Sequence, residues 1–403
     1  MTAIFGRILR LERKMFVSLR HIKLDKIGNM IARQLKHIIT DELNRGKVIV
    51  ILGARQIGKT TLLDEISANT GRLLILNCDN YDDVQKIENR TSTELKNLIE
   101  PYEIVLIDEA QRVIDIGLTL KKIGDLKLRS TKVIVTGSSS LDIANRVNEP
   151  ATGRLIEHKM FPLSLSELAL HSSRRDEERM LAQRMIYGMY PEVITDAPHA
   201  KQLLSELSNN YLYKDILSYK GIKKPEVLRK LLQALALQMG SEVSYNELSG
   251  LVGIDRETVE NYIDLLEKCF VIFRLSSLSR NQRNEIKKGK KVYFYDNGIR
   301  NAIISNFAPL ELRSDIGMLW ENFMISERVK RNNYTGCYAN MYFWRTHDQK
   351  EIDLIEEEDG IMRTFEFKWN AKSKAKMPQD FATAYPNNTF TVVTPESFWD
   401  FVV

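Results

Sequence analysis

The sequence predicts a multi-domain α/β protein whose first half is built on a parallel, helix-flanked sheet. Three observations carry that prediction. The stretch "VIVILGARQIGKTTLLDEI" (48–66) reads as a buried strand, Val48–Leu52, a loop bracketed by two glycines, and the start of a helix. Apolar strands then recur in "RLLILNCDN" (72–80), "YEIVLIDEAQ" (102–111) and "STKVIVTGSSSL" (130–141), with helical patterns between them and polar residues at each end. At 403 residues, 43% of them hydrophobic and 28% charged, the chain has core enough for two to three domains of about 150 residues each.

Taken in order, residues 1–29 form a basic extension with Arg7, Arg10, Arg13, Lys14, Arg20, Lys23 and Lys26 against Glu12 and Asp25. Without them the chain holds 51 basic and 51 acidic residues, so the net charge of +5 says nothing about the partners of the body. The extension is too charged for a secretory signal, and it reads either as an interaction arm or as an upstream start that is not used. "MIARQLKHIITDELNRG", from Met30, is a helix leading into the first strand. No apolar run approaches the roughly 20 residues of a membrane span. Cys78, Cys269 and Cys337 are scattered and odd in number, which points to a reducing, cytoplasmic compartment and away from a zinc site.

The loop Gly53, Ala54, Arg55, Gln56, Ile57, Gly58, Lys59, Thr60 fits G-x-x-x-x-G-K-[ST], with Thr61 opening the helical pattern. Glycines let successive N–H groups point inward at phosphate oxygens, and the helix N-terminus adds its positive end. Lys59 is placed to reach the β and γ phosphates of ATP, and the Thr60 hydroxyl to ligate Mg²⁺. The third strand runs into Asp108 and Glu109. Two carboxylates at the end of a buried strand must face a cleft, where Asp108 would hold the Mg²⁺ shell and Glu109 would polarise the attacking water. The next strand ends in Thr136 to Ser140, and Ser138 is the candidate to read the γ-phosphate; serine capping of the following helix is the alternative.

"GARQIGKTT", "LIDEAQ", "VTGSSS" and "TGRLIEHKMFPLSLSEL" (152–168) together resemble the AAA-type P-loop ATPases of bacteria and archaea. More narrowly, they are similar to the family whose C-terminal half is a domain of unknown function with a winged-helix segment and a restriction-endonuclease-like fold. "GMYPEV" (188–193) and "YLYKDIL" (211–217) resemble its helical region, and the likeness spans about residues 30 to 403. The resemblance implies an ATPase core over 30–165, a helical lid over 166–225, a winged helix over 226–292 and a nuclease-like α/β domain over 293–403. It also places Arg154 where the family has a candidate arginine finger, with Arg146 a nearby competitor; a finger supplied by a neighbour would require a homo-oligomer.

In "SEVSYNELSGLVGIDRETVENYIDLLEKCFVIFRLSSL" (241–278), Ser244 caps a first helix, Gly253 makes the turn and Asp255 caps a second with Val259, Tyr262, Ile263 and Leu266 on one face. That second helix carries Asp255, Glu257, Glu260, Asp264 and Glu267 against Arg256 and Lys268, so it is poorly suited to a phosphate-lined groove. "RNQRNEIKKGKK" (280–291), with six cations and one acid, is the stretch through which nucleic acid would be held; a solvated loop is the alternative.

The last 110 residues or so hold a second carboxylate set. Glu351 and Asp353 are two apart in a strand, with Ile352 and Leu354 expected on its other face. Glu366 and Lys368 share a face of the next strand while Phe365 and Phe367 enter the core. Asp353 with Glu366 and Lys368 is the D…E-x-K arrangement of the PD-(D/E)XK nucleases, with Glu321 a fourth member, and such carboxylates would hold Mg²⁺. Three functions stay open: an ATPase whose nucleotide state switches the C-terminal module, a metal-dependent nuclease regulated by the ATPase, and a nucleotide-gated scaffold with no second activity; a protein partner is a candidate reader of the nucleotide state.

Overall fold

The computed structural model describes residues 30–128, 130–138, 153–211, 225–279, 289–346 and 348–403. The extension 1–29, Ser139, Ser140, Arg146 and the larger part of the 280–291 run lie outside them.

Five strands form the first sheet: β1 (Val48–Leu52), β2 (Leu73–Asn77), β3 (Ile104–Asp108), β4 (Lys132–Gly137) and β5 (Leu155–Lys159). Their order is β2-β3-β4-β1-β5, and every pairing is parallel. β1 and β3 are buried along their whole length, as strands covered on both faces by crossover helices must be. β4 lies between them, so the phosphate loop after β1 and the carboxylates after β3 face each other across the end of β4. Helix Gln34–Glu42 precedes this sheet, and helix Lys59–Ser67 begins two residues ahead of the helical pattern read from Thr61.

Helices Leu165–His171, Arg174–Tyr187, Pro191–Thr195 and Ala200–Glu206 follow β5. The first begins in a capping box in which Ser164 accepts from the Glu167 N–H and Glu167 accepts from the Ser164 N–H. Next come helix Pro225–Leu237, β6 (Glu242–Val243), helices Tyr245–Val252 and Arg256–Lys268, β7 (Ile272–Ser277) and β8 (Lys290–Phe294). Ser244 and Asp255 accept from Glu247 N–H and Thr258 N–H, and Gly253 closes the first helix at φ +73°. On the second helix Asp264 and Glu267 are both paired with Arg274 of β7, whose one positive charge offsets part of the acidity counted against nucleic acid.

The second sheet adds β9 (Asn340–Arg345), β10 (Glu351–Glu358), β11 (Ile361–Phe367) and β12 (Asn388–Val393) in the order β12-β11-β10-β9-β7-β8-β6. It therefore runs without interruption across position 292, through strand β8 itself. Strict alternation fails in β10: between Ile352 and Ile355 three steps of β10 match two steps of β9. The extra residue of this bulge puts Ile352 and Ile355 together in a small cluster with Leu278 and Phe381, while Leu354 joins the main core. Ile352 and Leu354 thus do not share a face, contrary to the period-two expectation.

Helix Ile316–Thr335 binds the two halves together. A buried amide network fixes it against helices Arg174–Tyr187 and Asn297–Ile303: Asn297 donates to the carbonyls of Met185 and Leu319, Asn301 to that of Ile186, and Asn322 to that of Phe294 and to the Asn297 side chain. Asp296 is buried and accepts from Met189 N–H and Ile299 N–H. Burial raises its pKa above the ordinary aspartate value; the hydrogen bond from Met189 N–H and the charge of Lys330 act the other way.

Candidate nucleotide site

Gly53 is required by close approach. A Cβ there would lie 2.2 Å from the Met160 carbonyl oxygen at the end of β5. Its N–H donates to the Gly137 carbonyl, which fastens the start of the loop to β4. Gly58, at φ +92°, is the N-cap of helix Lys59–Ser67 and takes the left-handed turn that brings the loop into the helix. Ile57 is fully buried and anchors the loop, Gln56 and Thr61 are exposed, and Ala54 is buried with Arg55 half-buried at a small cavity shared with Tyr190, Phe270 and Tyr295.

The charged groups converge as their spacing implied. Lys59 is buried, and its Nζ donates to the carbonyls of Gly53 and Ala54, each at 2.8 Å, so the ammonium lies along the loop. The Thr60 hydroxyl donates to Asp108 Oδ2 at 2.8 Å. Asp108 Oδ1 accepts from the Thr136 hydroxyl, the second polar group at the end of β4. Glu109 follows at φ +53°, a left-handed turn that a non-glycine residue adopts only under constraint. Gln111, which the sequence did not single out, joins the end of β3 to β4 by donating to both Glu109 and Ser138.

A hydroxyl and a carboxylate 2.8 Å apart, beside a loop that offers backbone N–H groups, fit Mg²⁺, which takes one or two protein oxygens and completes its shell with water and phosphate. Arg154 is placed elsewhere. It precedes β5, its carbonyl accepts from Val48 N–H, and its side chain is paired with Asp125. That is the opposite end of β1 from the loop, about 15 Å away at the strand rise of ~3.3 Å per residue. Arg154 therefore does not sit beside the phosphate loop of its own chain.

In the second sheet Glu321, Asp353, Glu366 and Lys368 do come together, but in company that the pattern did not include. Lys291 of β8 is buried and paired with both Glu321 and Glu351. Tyr293 donates to Glu321 at 2.6 Å, Asp353 accepts from Phe367 N–H, and Lys368 donates to Glu366 at 2.8 Å. Burial alone would lower the pKa of Lys291, yet the charges of Glu321, Glu351 and Asp353 outweigh it and hold the ammonium firmly protonated. Asp353 is pushed well above the ordinary aspartate value by burial and by Glu321 and Glu366. Lys291 and Lys368 thus offset only part of the charge of these carboxylates, and the remainder falls on Asp353; among the described residues no three His, Cys, Asp or Glu side chains are grouped to hold a metal ion. The buried Lys291 is the member of this cluster that the D…E-x-K pattern did not include. The same position corrects the reading of the basic run: Lys291 is not available to a phosphate backbone.

A parallel sheet ordered β2-β3-β4-β1-β5, with a phosphate loop after its fourth strand in space and paired carboxylates after its second, defines a P-loop ATPase domain. Residues 45–169 match the family model described as an AAA domain, residues 178–310 one described as a domain of unknown function (DUF8612), and residues 316–397 another (DUF4143). The chain thus carries an AAA-type P-loop ATPase domain followed by a C-terminal domain of unknown function. An uncharacterized protein of Haemophilus influenzae is 25% identical over 330 residues, covering 76% of this chain and 78% of the relative. An uncharacterized protein of Mycobacterium tuberculosis is 25% identical over 334 residues, covering 81% of this chain and 71% of the relative. Among solved structures, the Walker-type ATPase of Pyrococcus abyssi is similar at 15% identity with a TM-score of 0.44, over 68% of this chain and 96% of that one. No helix among the described residues is long and apolar enough to cross a membrane.

Proposed function

We propose that this chain binds ATP with Mg²⁺, hydrolyses it, and passes its nucleotide state to the C-terminal half as a conformational change. The observation that carries the reading is the meeting of Thr60 and Asp108 at 2.8 Å, with Lys59 on the loop and Glu109 on the adjoining turn. In this reading Lys59 leaves the loop carbonyls to hold the β and γ phosphates, and loop N–H groups orient the same oxygens. Thr60, and Asp108 through water, would hold Mg²⁺, which would supply neutralisation of the phosphate charge. Glu109 orients a water and accepts its proton, a contribution of about 10²–10⁴ in rate for a positioned base.

Support for the coupling comes from Arg33. Its buried guanidinium donates to the Ile57 carbonyl of the loop at 2.6 Å, to the Phe161 carbonyl at 2.6 Å and to Glu167 at 3.0 Å. The Tyr334 hydroxyl, on helix Ile316–Thr335, accepts from Phe161 N–H, while Lys330 donates to the Leu163 carbonyl and Glu327 accepts from Leu165 N–H. A shift of the loop on nucleotide binding is therefore felt by the segment 161–167 and by that helix. The nuclease reading has no comparable support, because the second cluster is shared with a buried Lys291 that the D…E-x-K pattern does not include.

The test is nucleotide binding and turnover by the full chain. Lys59→Ala should lose ATP binding, and Glu109→Gln should bind ATP and turn it over about 10²–10⁴ more slowly. Parent-like turnover by Glu109→Gln would remove Glu109 from its role.

A further inference from the structure

The side chain of Gln111 has every strong hydrogen-bonding group engaged at one place. Its Nε2 donates to Glu109 Oε2 at 2.5 Å and to Ser138 Oγ at 2.9 Å, and its Oε1 accepts from Ser138 N–H at 3.2 Å. The orientation of the amide is dictated by its neighbours, since an ionised carboxylate only accepts and a backbone N–H only donates. The clip exists because Glu109 adopts φ +53°, which starts the short turn Ala110–Arg112 and carries Gln111 back over the strand end. Ser138 directly follows Gly137, whose carbonyl accepts from the first glycine of the phosphate loop. One amide thus ties the Glu109 carboxylate to the part of β4 that is fastened to that loop.

From this we infer that Gln111 is a positioning residue for Glu109. It holds the carboxylate by one oxygen, leaves the other for a water, and aims the group across the end of β4 at the phosphate side. A free glutamate side chain samples several rotamers, and the clip selects one of them before nucleotide arrives. Ser138, read from the sequence as a phosphate contact, serves here as the other jaw of the clip. The inference rests on the ATPase reading and extends it to a residue outside the loop and the carboxylate pair.

The experiment is a double-mutant cycle on the full chain, measuring ATP affinity by equilibrium binding and kcat by phosphate release. A misplacement of about 1 Å can cost ~10²-fold, so Gln111→Ala should lower kcat by about 10–10² while ATP affinity stays within about twofold. Gln111→Glu, which replaces the donor by a second carboxylate, should be slower still. In the Glu109→Gln background, Gln111→Ala should have little further effect, because there is no base left to aim. If Gln111→Ala slows both backgrounds equally, or leaves kcat unchanged while Glu109→Gln is impaired, the positioning role is wrong although the ATPase reading stands. If the parent has no turnover at all, the ATPase reading itself fails and the inference falls with it. Should Gln111→Ala fold poorly, Ser138→Ala removes the other jaw and is expected to give a smaller kcat loss, again absent in the Glu109→Gln background.

Discussion

Arg33 and Tyr334, 301 positions apart in the chain, meet at 3.5 Å directly beneath the phosphate loop. Arg33 is paired there with Glu167, and both are almost fully buried. Removing one member of a buried pair leaves the other's charge uncompensated, at a cost of about 3–5 kcal/mol. Arg33→Met is therefore expected to lower the unfolding free energy by about that amount in urea titrations. Tyr334→Phe keeps the ring and loses only the hydroxyl, for about 1 kcal/mol. It should also weaken the change in amide exchange that ATP produces in helix Ile316–Thr335. An ATP response of that helix that is the same in Tyr334→Phe as in the parent would remove this contact from the coupling route.

Thr60→Ala deletes the hydroxyl that meets Asp108 without touching the loop's backbone donors. ATP binding measured with and without Mg²⁺ should show the parent's metal dependence reduced by about tenfold, the loss of one charge-assisted contact worth ~1.5 kcal/mol. Unaltered metal dependence would take Thr60 out of the Mg²⁺ shell.

Asp353→Asn should stabilise the protein at neutral pH. Burial, with Glu321 and Glu366, raises the Asp353 pKa well above its value in the unfolded chain, so the folded state binds the proton more tightly. The contribution to stability is then fully present at pH below the ordinary aspartate range and is lost as pH rises through the raised folded value. An asparagine escapes that penalty while its side-chain oxygen still accepts from Phe367 N–H. Denaturant unfolding at pH 5 and pH 8 should show the advantage of the variant growing with pH. Equal destabilisation at both would mean that the carboxylate is needed in its ionised form.

Gly188→Ala should be among the most damaging small substitutions. A Cβ there would sit 2.1 Å from Asp296 Oδ1, and the backbone is at φ +74°. Overpacking typically costs about 1–3 kcal/mol, to which the left-handed conformation adds about 1. Thermal unfolding checks this; a drop smaller than the few degrees expected of about 1 kcal/mol would show that Asp296 yields easily.

Strands β1 to β4 of the first sheet were legible because each is a short apolar run whose polar end is written in the same few residues; β5, Leu155–Lys159, mixes polar and apolar residues and was not read as a strand. Ser244, Gly253 and Asp255 were legible as well, since caps and left-handed turns depend on local residue type. The alternation of β10 was misread at Ile352 and Leu354, because a bulge arises from pairing with a partner strand and leaves no local mark. Lys291 was misread for a related reason: in a run of six cations nothing tells which one the tertiary structure will bury.

The sequence by itself determined the phosphate loop, the carboxylate pair after β3 and the α/β class, because glycine spacing, strand length and apolar period are short-range properties. Only the tertiary structure decided that β4 lies between β1 and β3, that Gln111 reaches Glu109 and Ser138, that Arg154 sits at the far end of β1, and that Lys291 occupies the second carboxylate cluster. The physical reason is common to all four. Each depends on which distant segments pack side by side, and burial then makes unpaired charge and unmet hydrogen bonds so costly that partners are selected by proximity in space, whatever their separation along the chain.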